Sequence, residues 1–302
     1  MLNDAIFLRA GPLAVDLDRR GAVVTSFRRN GVALMRETTG YAGDPRTAAC
    51  FPLVPFGNRV QDDRFKFGGC AYVLQPNQPW DGHYLHGDGW LANWEVRDVT
   101  ATAVVFAMRH AADRATPFDY SATSAFVVTD DRLDVTLTVE NLGIRAMPFG
   151  LGLHPFFPLT PQTSLYAPAA AFYSEAVEFM PGDMAPIPAD LNFSEAARLP
   201  RRWVNNGFSG WDGRAEIFWP EHGLALQIAA DSQFRDYFFF LPDRDFDPDF
   251  AEDYFCFEPM THRANAHRAA DLGGLTVLAP GEVLRAGISF APHDLSANGG
   301  MA

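Results

Sequence analysis

Residues 132–140 read Arg-Leu-Asp-Val-Thr-Leu-Thr-Val-Glu. Apolar residues occupy every second position, and Asp, Thr and Glu occupy the positions between them. Because successive side chains of a β-strand point to opposite faces, this alternation predicts a strand with one face on a core and the other toward water. Residues 126–128, Phe-Val-Val, precede a Thr-Asp-Asp turn, so the two segments are expected to form a hairpin.

Short apolar-rich segments of the same kind recur along the chain. Arg19-Arg20-Gly21 and Arg29-Asn30-Gly31 separate three of them near the start, and Asn-Gly is among the strongest hairpin signals. The further predicted strands are 13–17, 22–27, 32–35, 94–99, 103–108, 215–219, 224–228, 237–241, 254–257 and 283–290. One short helix is expected over 264–272, because that segment stops at Gly273-Gly274.

Turn residues are spread evenly rather than gathered into a linker. The 302 residues include 25 Gly and 22 Pro, with no repeat of fixed period and no low-complexity tract. The sequence therefore predicts one all-β domain over 1–302, a large antiparallel β-sandwich with few short helices.

Charge and cysteine content narrow the possible partners and location. The net charge of −13 argues against nucleic acid and anionic membranes, both of which select basic patches. Three cysteines, Cys50, Cys70 and Cys256, form no C-x-x-C pair, so reduced, buried thiols in a cytoplasmic protein are expected. The chain starts without a basic, then apolar, leader pattern, so no signal peptide is predicted. No apolar run is long enough to predict a membrane span.

Four stretches interrupt the alternation with polar residues that a sheet does not need. They are 51–60, 85–90, 149–157 and 254–260. The first contains two prolines and a glycine, and it ends by presenting Asn58 and Arg59 among apolar neighbours. In the second, glycines flank Asp88 just after His86, which lets the backbone approach a neighbour closely. Each of these polar residues also has an ordinary structural explanation, as a loop arginine or a core histidine.

His154 and Glu258 dominate the third and fourth stretches. Each ends an apolar run and precedes a proline, which is expected to stop the strand. An apolar environment can hold an imidazole near the pKa that proton transfer requires. A buried carboxylate must be paired, hydrogen-bonded or functional, and burial raises its pKa toward that of a useful base. We interpret the two residues as facing walls of one cleft.

At these residues the chain resembles the aldose 1-epimerase (galactose mutarotase) family. The matching motifs occur in the family's order and are Gly57-Asn58-Arg59-Val60, Leu85-His86-Gly87, Gly152-Leu153-His154-Pro155-Phe156-Phe157, Phe257-Glu258-Pro259 and Leu278-Ala279-Pro280-Gly281-Glu282. The resemblance implies a β-sandwich often called a supersandwich. It also implies anomer interconversion of a free aldose without cofactor or metal. By the same resemblance His154 is the general acid and Glu258 the general base, while Asn58, Arg59 and His86 line the sugar site.

One position departs from the family pattern. The family often has an aspartate in the segment that corresponds to 203–208, where it contacts sugar hydroxyls, and here Asn205 stands in that place. An amide still bonds hydroxyls but carries no charge. Asp212 could compensate, although its position in Gly-Trp-Asp-Gly is also typical of a turn.

Several alternatives remain open from the sequence. The chain could be a non-catalytic sugar-binding or regulatory protein on the same fold, or a hexose-phosphate 1-epimerase. His86, His154 and Glu258 could hold a metal, though their spacing does not support it. A glycosidase would need a second carboxylate beside Glu258. His262 and His267 are interpreted as a solvated loop, and a monomer or homodimer is expected.

Overall fold

Antiparallel β-strands make up most of the regular structure in residues 4–38 and 40–295, the part of the chain that this computed structural model describes. The 24 strands in these residues are β1 (Ala5–Ala10), β2 (Leu13–Asp18), β3 (Val23–Arg29), β4 (Val32–Ala33), β5 (Cys50–Leu53), β6 (Arg64–Phe67), β7 (Cys70–Val73), β8 (Glu95–Val99), β9 (Ala103–His110), β10 (Tyr120–Val128), β11 (Leu133–Asn141), β12 (Met147–Phe149), β13 (Gly152–Pro158), β14 (Ser164–Tyr166), β15 (Ala171–Glu175), β16 (Pro181–Ala185), β17 (Ala197–Arg198), β18 (Val204–Ser209), β19 (Arg214–Trp219), β20 (Leu224–Ala230), β21 (Asp236–Leu241), β22 (Tyr254–Met260), β23 (Thr276–Leu278) and β24 (Val283–Asp294). The helices of the same residues are three-residue 3₁₀ turns at Pro45–Thr47, Gln61–Asp63, Gly89–Leu91, Val177–Phe179, Ala189–Leu191, Pro220–His222, Ala266–Arg268 and Leu272–Gly274.

Two large sheets organise these strands. The first has 11 strands in the order β1-β2-β3-β5-β13-β22-β21-β18-β15-β16, with β4 paired to β3. The second has nine, in the order β17-β14-β19-β20-β24-β11-β10-β9-β8. All registered strand pairs of the described residues are antiparallel. The predicted antiparallel all-β fold is confirmed.

The alternating segment that predicts a half-buried strand is β11. It pairs with β10 through the expected hairpin and with β24 on its other side. Its four alternating aliphatic residues are buried, and the polar residues between them are half-exposed. The hydrophobic effect on one face therefore sets the register, since a slip of one residue would turn that face to water.

The predicted helix over 264–272 is wrong. The structure has two separate 3₁₀ turns there, Ala266–Arg268 and Leu272–Gly274. Asn265 adopts left-handed backbone, with φ of 55°, and Ala269 is extended, with ψ of 140°. An α-helix cannot continue through either residue, because its N–H and C=O leave the helical direction.

The two prolines that were expected to stop strands lie inside them. β13 continues through Pro155 and β22 through Pro259. The amide of Phe156 donates to Ala49 O on the β5 side, so the alternation places residue 155 toward β22. Pro155 and Pro259 therefore each lack an N–H that would donate across the β13–β22 pair. β13 stays paired with β5, and β22 stays paired with β21.

The central strands of the first sheet are covered on both faces. Odd-numbered residues such as Phe157, Phe239 and Phe257 enter the core between the two sheets. Even-numbered residues such as Phe156 and Phe238 join a smaller apolar cluster on the opposite face. Burial on both faces explains the uninterrupted apolar runs in these strands. The even-numbered face also carries His154 and Glu258.

The cysteines are unpaired thiols in the described chain. Cys50 and Cys256 are buried as predicted, whereas Cys70 is half-buried in the β6–β7 hairpin. No helix in residues 4–38 and 40–295 has the length and apolar content that a bilayer crossing requires.

Candidate active site

His154 and Glu258 face each other across β13 and β22. The registered pairs on either side of them are Gly152 with Met260 and Phe156 with Cys256. Residues directly opposite in an antiparallel pair have neighbouring Cβ atoms on the same face. His154 Nε2 lies 3.3 Å from Glu258 Oε1. The two residues that the sequence singled out are therefore brought together.

Burial favours the uncharged form of both groups. It raises the pKa of Glu258 well above its ordinary value, and the nearby Arg59 charge opposes this only partly. It lowers the pKa of His154 to about 3, with a further lowering from Arg36. His154 Nδ1 and Glu258 Oε2 are buried without a hydrogen-bond partner among the described residues.

Neighbouring aromatic rings restrict the His154 imidazole. Phe51 and Phe156 pack against it, with ring centroids 4.5 and 4.7 Å from that of the imidazole and 6.1 Å from each other. Trp90 stacks on Phe51, and the Arg36 guanidinium lies 3.8 Å from the centroid of Phe156. Packing of this kind limits rotation of the imidazole about its side-chain bonds.

His86 presents one ring nitrogen to the same cavity. The backbone N–H of Asn58 donates to His86 Nδ1 at 3.0 Å, and the N–H of His86 donates back to Asn58 O at 3.1 Å. Because Nδ1 accepts, the proton of a neutral imidazole must sit on Nε2. Burial lowers the pKa of His86 well below its ordinary value. The ring is therefore an uncharged donor, 5.3 Å from His154 between centroids.

Arg59 is held by Asp81, which the sequence analysis missed. Its Nε and Nη2 donate to Asp81 Oδ2 at 3.0 and 2.6 Å. Asp81 Oδ1 accepts the N–H of His83 at 2.9 Å. Asp81 lies in a polar loop without any motif, so no pattern in the sequence marks it. The buried ion pair holds the Arg59 guanidinium in place beside the cavity.

Asn205 and Trp203 share a carboxylate. Asn205 Nδ2 donates to Glu175 Oε1, and Trp203 Nε1 donates to Glu175 Oε2, each at 2.6 Å.

Asp212 does not line the cavity. It is exposed in the turn between β18 and β19, and its carboxylate accepts the N–H of Arg214. The expectation that Asp212 serves the sugar site is therefore corrected, because its side chain closes a turn.

One cavity of about 990 Å³ is lined by His86, Arg59, His154, Asn205 and Glu258, among other residues. It contains all the predicted site residues except Asp212. Its charged lining residues are Arg36, Glu37, Asp44, Arg46, Arg59, Asp247, Asp249 and Glu258. Aromatic rings form much of the remaining wall, and four of them are Phe179, Trp203, Phe240 and Phe246. The cavity combines apolar faces with convergent polar groups, as sites for small polar ligands do.

His262 and His267 are buried, contrary to the predicted solvated loop. His262 Nε2 accepts the N–H of Gly57 at 3.0 Å. A Cβ on Gly150 would lie 2.0 Å from the His262 ring, so only glycine fits there. His267 packs among the rings of Phe56 and Phe65. The two histidines support the loop that carries Asn58 from behind.

The structure thus combines a β-sandwich with a facing His–Glu pair at a polar and aromatic cavity. Residues 4–291 match the aldose 1-epimerase family. The chain belongs to this family, whose members are isomerases.

Individual relatives agree with this assignment. The chain is 42% identical over 278 residues to uncharacterized protein YphB of Escherichia coli K12, covering 91% of this chain and 94% of that one. A crystal structure from Escherichia coli K12 shares 40% identity at a TM-score of 0.93, covering 96% and 99% of the two chains. A galactose mutarotase-like protein from Clostridium acetobutylicum has the same fold, with 17% identity, a TM-score of 0.83 and coverage of 96% and 95%.

Proposed function

We propose that the chain is a mutarotase that interconverts the α and β anomers of a free aldose by opening and reclosing the sugar ring. The observation that carries the proposal is the facing pair of His154 and Glu258, 3.3 Å apart at the cavity. Ring opening needs one group that removes the proton of the anomeric hydroxyl and another that protonates the ring oxygen. The two oxygens are bonded to the same carbon, so the groups must be close neighbours.

The proposed roles account for two proton transfers, one at each oxygen on C1. Glu258 as carboxylate takes the proton of the anomeric hydroxyl, the bond from C1 to the ring oxygen breaks, and protonated His154 gives its proton to that oxygen. The open-chain aldehyde then rotates about the C1–C2 bond, and the reverse steps close the ring on the other face. The pair ends ring opening as carboxylic acid and neutral imidazole, the forms that burial favours. His86 and Arg59 hold sugar oxygens and stabilise developing charge.

The lining charges favour a free aldose over a hexose phosphate. Arg59 and Arg46 are each paired with an aspartate, and Arg36 donates to backbone carbonyls while it covers Phe156. A phosphate site would be expected to offer clustered, unengaged cations. Asp247 and Asp249 add negative charge to the lining. The proposal keeps a cytoplasmic location, in agreement with the free thiols.

The test is anomer exchange followed by polarimetry or saturation-transfer NMR on a panel of aldoses. Wild type is compared with His154→Ala and Glu258→Gln. Each variant should fold and lose about 10²–10⁴-fold in exchange rate, the usual contribution of one acid or base. Wild type that binds sugars without accelerating exchange would support the non-catalytic alternative instead.

A further inference from the structure

Glu175 does not line the cavity itself but hydrogen-bonds to two residues that do. It is the last residue of β15, while Trp203 and Asn205, which both line the cavity, belong to β18 or lie just before it. Each of its two carboxylate oxygens accepts one bond from these neighbours, at 2.6 Å in both cases. Short bonds to a carboxylate are charge-assisted and among the stronger hydrogen bonds in proteins.

The carboxylate sets the orientation of the Asn205 amide. An ionised carboxylate only accepts, so the NH₂ group of Asn205 must be the part that faces it. The Oδ1 atom is then left for another partner. In the register, Asn205 lies opposite Phe240, which also lines the cavity. The free end of the amide is therefore on the face that carries Glu258.

The same carboxylate fixes the Trp203 indole. Its ring lies with its centroid 5.5 Å from that of Phe240 and 5.1 Å from that of Phe246. All three rings belong to the lining of the cavity. A tryptophan with its N–H bonded at one end and its ring packed at the other has little rotational freedom.

We infer that Glu175 is the positioning residue that sets the hydrogen-bond pattern of the sugar cavity. Through it the Oδ1 atom of Asn205 is turned away from Glu175 and is free to accept, which favours a sugar hydroxyl that donates opposite it. The inference rests on the proposed function for the identity of the ligand. It selects aldoses with a free hydroxyl at that place over the O-methyl and deoxy analogues, which cannot donate.

The direct test moves the negative charge from residue 175 to residue 205. Asn205→Asp alone sets two carboxylates side by side and should raise KM about tenfold or more with kcat within about threefold, since the contact is remote from the reacting bond. The double variant combines Asn205→Asp with Glu175→Gln. In it the amide N–H at residue 175 donates to the carboxylate at residue 205, and the amide carbonyl at residue 175 accepts from the Trp203 indole. KM should then return to within about threefold of wild type. A merely structural role for Glu175 would make the double variant worse than the single one, which would overturn the inference.

A second readout needs no turnover. In the ¹⁵N-labelled protein, the indole N–H resonance of Trp203, assigned with Trp203→Phe, should move upfield in Glu175→Gln because the charge-assisted bond is lost. Glu178→Gln is the matched control: its carboxylate is 75% exposed and touches neither partner, so the resonance should not move. If no aldose is turned over, the proposed function fails while this shift still tests the positioning role. An unmoved resonance in Glu175→Gln overturns that role.

Discussion

Buried histidines of this chain are kept uncharged by their surroundings. Burial lowers the pKa of His154 and His267 to about 3 and that of His262 to about 4. His86 and His262 each use one ring nitrogen to accept a backbone N–H, which a doubly protonated ring cannot do. The neutral state is thus required by the hydrogen bonds that shape the loop at 57–58.

Lowering the pH should therefore reduce the free energy of unfolding, because these imidazoles take up protons more readily in the unfolded chain. The variant His267→Leu removes one of them. The folded pKa of about 3 lies below the unfolded value of about 6.5, so this stability is complete above pH 6.5 and is lost as pH falls toward 3. From pH 7 to pH 5 wild type should lose about 2 kcal/mol at this site that the variant does not lose. Urea unfolding at both pH values measures the difference.

The control for this prediction is an exposed histidine. His222 lies on an exposed 3₁₀ turn, so His222→Gln removes a histidine but should keep the loss of stability that His267 causes between pH 7 and pH 5. A difference between wild type and His267→Leu that stays constant from pH 7 to pH 5 would contradict a neutral, buried imidazole at 267.

At the scale of elements, the segment 85–90 depends on a close approach of two backbones. Gly87 has φ of +70° and bridges to Val54, and a Cβ there would lie 2.4 Å from Val54 O. Its carbonyl accepts from the Asn77 amide and the Trp90 indole. A backbone atom held on all sides cannot move away from an added methyl group.

Gly87→Ala should consequently destabilise the protein by several kcal/mol and reduce sugar turnover, because His86 is the preceding residue. Gly69→Ala is the matched control, since Gly69 has φ of +77° and nothing within 4 Å of an added Cβ. It should cost only about 1–2 kcal/mol, the strain of a left-handed alanine. Thermal unfolding and anomer exchange are measured on both, and equal costs would show that the approach to Val54 is not tight.

Half of the described strands were predictable from the sequence, because alternation and turn residues are local signals. The hairpin of β10 and β11 follows from them directly. The positions of Pro155 and Pro259 inside strands were not predictable, since a proline is tolerated only if its missing donor falls on the right edge. That edge is known only once the neighbouring strands are known.

On the scale of the whole molecule, negative charge surrounds a cavity that has no excess of free cations. The chain carries a net charge of −13. The lining pairs Arg46 with Asp44 and holds Arg59 against Asp81. The field of such a protein repels anionic ligands and is neutral toward uncharged ones.

Glucose should therefore be turned over with a kcat/KM at least about tenfold above that of glucose 6-phosphate at low salt. Raising ionic strength from 0.01 to 0.15 M shortens the Debye length from about 30 to about 8 Å. The kcat/KM for glucose 6-phosphate should therefore rise, and that for glucose should not change. The measurement is anomer exchange corrected for the uncatalysed rate. A preference for the phosphate at both salt concentrations would favour the hexose-phosphate alternative.

The candidate site was predictable to the extent that its residues are unusual in their surroundings. Glu258 and His154 end apolar runs, and a polar group there needs a reason. Asp81 lies in a polar loop, and Glu175 follows Ser174 at the end of a strand with no motif around it, so neither gave a signal. Asp212 was proposed because it lies near Asn205 in sequence, but a tight turn directs it away.

Short-range pattern alone was enough for the all-β class, the positions of 12 of the 24 described strands and the choice of His154 and Glu258, because alternation, turn chemistry and a polar residue among apolar ones are local properties. The pairing of strands decided the rest. It placed His154 opposite Glu258 and Glu175 on Asn205, contacts between residues 104 and 30 positions apart in sequence. Such contacts form because strands distant in sequence lie side by side in a sheet, about 4.8 Å apart.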